Sequence, residues 1–244
     1  RELREAVVAW ANGSAGRRGL VATYGEISGW DVSGVSNMSG LFQDGKSKSD
    51  GFRNVQGILL QSWSCSCLNR CSIVLPEDLP TFNEDLRLWN TASVTDMRGM
   101  FENAQAFNLP IGTWDTSAVM DMSTMFKGAR AFDQPIDSWN TSAVTDMHGM
   151  FLDADAFNQP DIGMWNTAAV ADMSFMFYGA RAFNHPVGSW DVSAVVSMKA
   201  MFCKAESFNQ PVGSWNMSAV SNMQAMFGHA RAFNQPIGFW NTSA

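Results

Sequence analysis

Tryptophan recurs at Trp89, Trp114, Trp139, Trp165, Trp190, Trp215 and Trp240, at intervals of 25, 25, 26, 25, 25 and 25 residues. A period of this length is the mark of a repeat architecture, in which each unit is too small to bury its own apolar face and does so against its neighbours. One unit reads WDTSAVMDMSTMFKGARAFDQPIDS, from Trp114 to Ser138. The interval of 26 carries one extra residue, Asp161. Other apolar positions keep the same step. Val94, Val119, Val144, Val170, Val195 and Val220 form one series, and Met97, Met122, Met147, Met173, Met198 and Met223 another. Phe101, Phe126, Phe151, Phe177, Phe202 and Phe227 form a third, and Phe107, Phe132, Phe157, Phe183, Phe208 and Phe233 a fourth. If each unit is one coil of a superhelix, each series stacks into a column, with neighbours about 4.8 Å apart where strands pair.

Within a unit, the stretch from Pro135-Ile136 to Trp139 reads as extended, because proline disfavours helix around it. Ser142 to Met147 reads as a second short strand. The spacing of Met147, Met150, Phe151 and Ala154 predicts a helical turn. The expected coil is therefore strand, turn, strand, helical turn, an α/β repeat. RELREAVVAWA at the start reads as an amphipathic helix with Leu3, Ala6, Val7 and Trp10 on one face, stopped by Asn12-Gly13. The expected organisation is a helical cap over 1–29 and a repeat solenoid over 30–244, of about seven coils plus a partial one. The start at Arg1 and the stop within a new unit read as a processed or truncated piece of a longer chain.

Residues 46–80 interrupt the pattern. Trp30 to Trp89 spans 59 residues, and the repeat breaks off near Gly45 and resumes at Phe82-Asn83. Three readings stand for this segment: a loop extruded from the solenoid, translated non-coding sequence, and a metal site using Cys65, Cys67 and Cys71. Their C-x-C-x-x-x-C spacing lacks a nearby histidine, which weakens the last.

Hydrophobic residues make up 46% of the chain and charged residues 16%, enough apolar material for a core throughout. The net charge of -7 argues against nucleic acid and anionic membranes, both of which need a basic patch. No run of about 18 apolar residues is present to span a bilayer.

The unit V-T-D-M-x-x-M-F-x-x-A-x-x-F-N, preceded by W-N-T-S or a close variant, resembles the BspA-like leucine-rich-repeat surface proteins, in the branch that uses tryptophan, methionine and phenylalanine in place of most leucines. The resemblance covers 24–42 and 82–244. It implies a right-handed leucine-rich-repeat solenoid on a secreted or cell-surface protein, with a role in adhesion or protein binding. It supplies no catalytic residues. Segment 46–80 departs from it.

Candidate chemistry is sparse. Met122/Met125 and Met147/Met150 have a soft-metal spacing, but they recur where core is needed, and methionine fills irregular cores well. Asp96, Asp121, Asp146 and Asp172 share one repeat position and are the candidate calcium ligands. Asn37, Ser197 and Asn222 occupy that same position, which points instead to carboxylates accepting backbone N–H bonds at the start of a turn. Asn83, Asn108, Asn158, Asn184, Asn209 and Asn234, with Asp133, read as a ladder bonding the backbone at a corner. His148, His185 and His229 stand at different repeat positions and assemble no catalytic set, and no phosphate loop, nucleophile elbow or metalloprotease motif occurs. Sequons at Asn12, Asn37, Asn140, Asn216 and Asn241 permit glycosylation, although all but Asn12 are spelled by the repeat itself.

The expected function is a non-enzymatic protein-interaction or adhesion module without cofactor, engaging its partner along an extended face. Arg98, Thr124, His148, Phe175, Lys199 and Gln224 vary between coils and are the candidate contact residues. The alternatives are a structural linker in a larger assembly, with Phe175, Tyr178 and Phe239 covered, and a calcium- or glycan-binding array.

Overall fold

The computed structural model describes residues 3, 6, 7, 10, 14–43 and 81–240. Segment 46–80 with its three cysteines, the Asn12-Gly13 helix stop and the sequons at Asn12 and Asn241 lie outside these residues.

The chain is a stack of coils in which like residues lie over like. Trp114 and Trp139 are parallel at 6.5 Å, as are Trp215 and Trp240. Phe101, Phe126, Phe151, Phe177, Phe202 and Phe227 stack at 5.6 to 5.7 Å. Inside one coil the two phenylalanines face each other, Phe126 and Phe132 at 4.0 Å. Such ring pairs contribute about 0.5–1.5 kcal/mol each beyond the area they bury. The valine, methionine and alanine columns from Val94 to Ala205 are fully buried. Each indole also anchors its own coil to the one before: Trp89 Nε1 donates to Ile27 O at 2.8 Å, and Trp139 Nε1 to Ile111 O at 3.2 Å.

The strand–turn–strand–helical-turn coil of a leucine-rich-repeat solenoid does not form. Among the described residues there is no extended ladder, only one-residue parallel bridges that run Asn37, Asp96, Asp121, Asp146, Asp172, Ser197, Asn222. The stretch from Met147 to Ala154 is a run of turns, not a helical turn. Hydrogen bonding explains why. Met97, Gly99, Phe101 and Asn103 donate their N–H groups to Asp121, Ser123, Met125 and Lys127 of the next coil, at 3.0, 2.9, 2.9 and 2.6 Å. The residues between them donate backward within the coil: Met100 to Met97 O, Glu102 to Gly99 O and Ala104 to Phe101 O. A helix would aim every N–H along its axis, and a strand would leave the backward turns unmade. The backbone satisfies both partners only by returning to the left-handed region every fourth residue. Gly99 and Asn103 have φ 58° and 61°, and the same two columns are left-handed at Thr124, Gly128, Gly149, Asp153, Phe175, Gly179, Ala200, Lys204, Ala225 and His229.

Helix α1, Ser14–Tyr24, precedes the coils. It ends at Gly25, whose φ of 74° suits a helix terminus and whose N–H bonds Val21 O at 3.0 Å. Leu3, Ala6, Val7 and Trp10 also carry helical backbone. Val7 and Trp10 are buried, with Trp10 edge-on to Trp30 at 5.7 Å. Interruptions are taken up at corners. Asp161 falls in a short 3-10 turn, Pro160–Met164, which leaves Ile162 buried and Met164 exposed. On either side of 44–80, Phe42 and Phe82 stack at 4.2 Å, the contact that Phe101 and Phe107 make at 4.1 Å.

The left-handed columns yield a prediction with two signs. At Gly149 an added methyl would lie in ordinary contact with Thr124 Cγ2, 3.4 Å away, so Gly149→Ala carries only the backbone penalty. It is expected to destabilise by about 1–2 kcal/mol in thermal melts. Ala225→Gly, on an exposed left-handed residue, is expected to raise the protection of its coil in amide hydrogen exchange.

Candidate functional site

The two left-handed columns and the residues beside them carry the candidate contact residues, and residue type there changes from coil to coil. The turn that opens this face explains the aspartates. Asp96 Oδ1 accepts the Arg98 N–H at 3.0 Å, and Asp121, Asp146 and Asp172 accept those of Ser123, His148 and Ser174 at 2.8, 2.8 and 2.7 Å. Asn37 and Asn222 do the same for Ser39 and Gln224. The shared element is an acceptor oxygen, not the charge, which is why asparagine serves equally and the Ser197 hydroxyl takes the Lys199 N–H at 3.5 Å. Among the described residues no group of three or more histidine, cysteine or acidic side chains is placed to hold a metal ion.

The asparagine series has a parallel use. Asn83 Oδ1 accepts the Asn108 N–H, Asn108 that of Asp133, Asp133 that of Asn158 and Asn158 that of Asn184, at 2.9 to 3.0 Å. It holds a corner and presents little to solvent.

The six candidate contact residues fall in two adjacent columns. Arg98, His148, Lys199 and Gln224 occupy the second position after the bridge, whereas Thr124 and Phe175 stand one residue later, in the left-handed column. Arg98 lies between two carboxylates, 3.6 Å from Asp96 and 3.7 Å from Asp121. Thr124 is half-buried between Gly99 and Gly149, and Gln224 is exposed on the last described coil. His148, Phe175 and Lys199 come together. The His148 ring meets Phe175 edge-on at 5.6 Å, and Lys199 Nζ lies 5.8 Å from the Phe175 centroid. Two further residues complete the cluster: Tyr178 sits 6.0 Å from Phe175, and Lys204 Nζ sits 4.9 Å from the Tyr178 ring. Tyr178 holds the Lys204 ammonium above its usual pKa range. Lys204 was not among the sequence candidates. Its signal was a column otherwise filled by asparagine, glycine, aspartate and histidine.

Serine, histidine and aspartate also meet here, in an order unsuited to catalysis. Ser174 Oγ donates to Asp172 Oδ1 through a short hydrogen bond. Its contact with His148 Nδ1 at 2.9 Å then makes the imidazole the donor. A nucleophilic serine needs the reverse, a bare ring nitrogen taking the hydroxyl proton.

Burial raises the Asp146 pKa above the usual carboxylate range. The His148 N–H bond opposes this, and the stacked Asp121 and Asp172 add to it. The exposed Asp31, Asp115 and Asp191 go the other way, held down by hydrogen bonds from Ser33, Ser117 and Ser193. A carboxyl raised on folding destabilises the native state once ionised, and that loss disappears as pH falls below its native and then its unfolded pKa. Asp146→Asn keeps the acceptor oxygen. It is expected to raise the melting temperature by about 1–3 °C at pH 7, with the gain vanishing in melts near pH 3.

No helix among the described residues is long and apolar enough to cross a membrane. Nothing among the curated proteins or the solved structures matches the sequence. The likeness to BspA-like proteins rests on the repeat residues alone. A family match does exist: it covers residues 21–54, 75–161 and 157–244, passing over part of the interrupting segment, and so most of the sequence. The chain belongs to the family described as Mycoplasma protein of unknown function, DUF285.

Proposed function

We propose that this chain is a non-enzymatic binding module that engages a protein partner through the face centred on Phe175. The observation that carries this reading is the backbone of Phe175 itself. Its φ is 59°, in a column where glycine, alanine or threonine stands in the other coils. Holding a bulky residue in the left-handed region costs about 1–2 kcal/mol. The ring is not part of the core and lies partly exposed at the surface. Strain of this kind, retained at a surface aromatic, marks a contact residue.

The enzyme reading lacks a comparable basis. Where serine, histidine and aspartate meet, among the described residues, the serine proton is committed to Asp172.

The test is site-specific photocrosslinking in native extract. A benzoylphenylalanine at position 175 is expected to give one or a few discrete protein adducts. The same probe at Met164, exposed at the Pro160–Met164 corner, is expected to give none above background. Equal labelling from both positions, or none from 175, removes the proposal.

A further inference from the structure

The cations on this face are paired in an unusual way for so acidic a chain. With 23 acidic residues against 16 basic ones, carboxylates are plentiful, and six of the ten described basic side chains use them. Arg17, Arg87, Arg98, Lys127, Arg130 and Arg181 each lie within 4.0 Å of a carboxylate. Among the described residues Arg18, Arg231, Lys199 and Lys204 do not. The two lysines instead lie over aromatic rings of the preceding coil, Phe175 and Tyr178. An ammonium over a ring is positioned by the ring's quadrupole while its N–H donors stay open to an outside acceptor. The result is a platform of two rings with a cation on each that no carboxylate within 4.0 Å neutralises, Lys204 also interacting with the Tyr178 hydroxyl.

We infer that this platform takes an acidic protein segment, in which carboxylates alternate with an apolar side chain: Lys199 and Lys204 pair the carboxylates, and Phe175 and Tyr178 receive the apolar group between them. The inference rests on the protein-binding reading above and names the chemistry of its partner. Charge complementarity selects a short acidic segment and disfavours long polyanions. Asp153, Asp155, Asp172 and Glu206 lie on the same coils, and Asp153 is close enough to feel the Lys204 charge. A nucleic acid or sulfated polysaccharide running past the two lysines would meet that acidic surround, whereas a segment with two carboxylates need not.

The test pans a random peptide library displayed on yeast against the full chain and, in parallel, against a Lys199→Gln/Lys204→Gln variant whose melting temperature is first shown to be unchanged. Sequences pairing acidic with aromatic or aliphatic residues are expected to enrich on the unaltered chain and to be lost on the variant. A synthetic peptide from the enriched set is expected to bind about ten-fold more weakly to the glutamine variant and near normally to Lys199→Arg/Lys204→Arg. Its affinity is expected to fall as salt is raised from about 50 to 300 mM. Enrichment of neutral or basic sequences, or of acidic ones that bind the glutamine variant equally, overturns the inference and leaves the protein-binding reading standing. If nothing enriches and position 175 gives no crosslinks, both fall. Crosslinks from 175 to proteins whose contact peptides lack acidic residues, read by mass spectrometry, overturn the inference alone.

Discussion

Everything in this molecule follows from a division of labour among consecutive backbone N–H groups. From Met97 onward, alternate residues bond to the next coil and the residues between them bond back within their own. Coil thus joins coil through four backbone hydrogen bonds in a stretch of seven residues, with the Asp96 side chain taking the Arg98 N–H that neither scheme uses. Net gains of about 0.5–1.5 kcal/mol per bond are modest singly. Their geometric effect is larger, because bonds at every second residue fix the register between coils. Once register is fixed, tryptophan must lie on tryptophan and phenylalanine on phenylalanine. The aromatic columns then add a packing term that depends only on nearest neighbours, which is how a chain of such small units acquires a continuous core.

The columns were legible in the sequence because stacking requires the same residue at the same step. Trp114 and Trp139, Phe126 and Phe151 could be paired from their spacing alone, and the Asn108 series from its recurrence before proline. The path of the backbone between the columns was not legible. Met147, Met150, Phe151 and Ala154 have helical spacing because the i→i+3 turns of this coil bring the same positions inward as one turn of helix does. What separates the two conformations is the left-handed residue, and that is announced by glycine only at Gly40, Gly99, Gly128, Gly149 and Gly179. Thr124, Phe175, Ala200 and Lys204 adopt it with side chains that ordinarily avoid it. The candidate contact residues were for the same reason assigned to one surface strip when they belong to two neighbouring columns. Lys204 was missed because its column falls in the stretch that reads as a helical turn.

The coil is rigid in one part and permissive in another, and the insertions mark the difference. Asp161 enters at the proline corner, between the Asn158 bond to the next coil and the Trp165 indole, where a 3-10 turn absorbs it without shifting Ile162 out of the core. The much longer interruption leaves from the end of the bonded stretch, after Phe42, and returns at Phe82 in contact with it. Between Met97 and Asn103 an extra residue would exchange every forward donor for a backward one and flip each side chain in turn, the penalty that a slip of one residue carries in any paired strand.

This rigidity bears on binding. A surface loop that carried Phe175 would lose conformational freedom on meeting a partner, at about 0.5–1.5 kcal/mol for each ordered side chain. Here the ring is already held: its N–H bonds Lys199 O at 2.8 Å, its carbonyl accepts the Tyr178 N–H at 3.0 Å, and His148 and Lys199 flank it. Neighbouring coils show how the same scaffold neutralises charge. Arg130, Asp155, Arg181 and Glu206 occupy one column in alternating sign, each facing its opposite on the next coil at 3.6 to 4.0 Å. Lys199 and Lys204 sit in columns where no such alternation neutralises them. The backbone that forces Phe175 into a strained conformation is therefore the same one that keeps two cations and two rings fixed relative to each other. That fixed arrangement, more than any single residue in it, distinguishes this face from the rest of the stack.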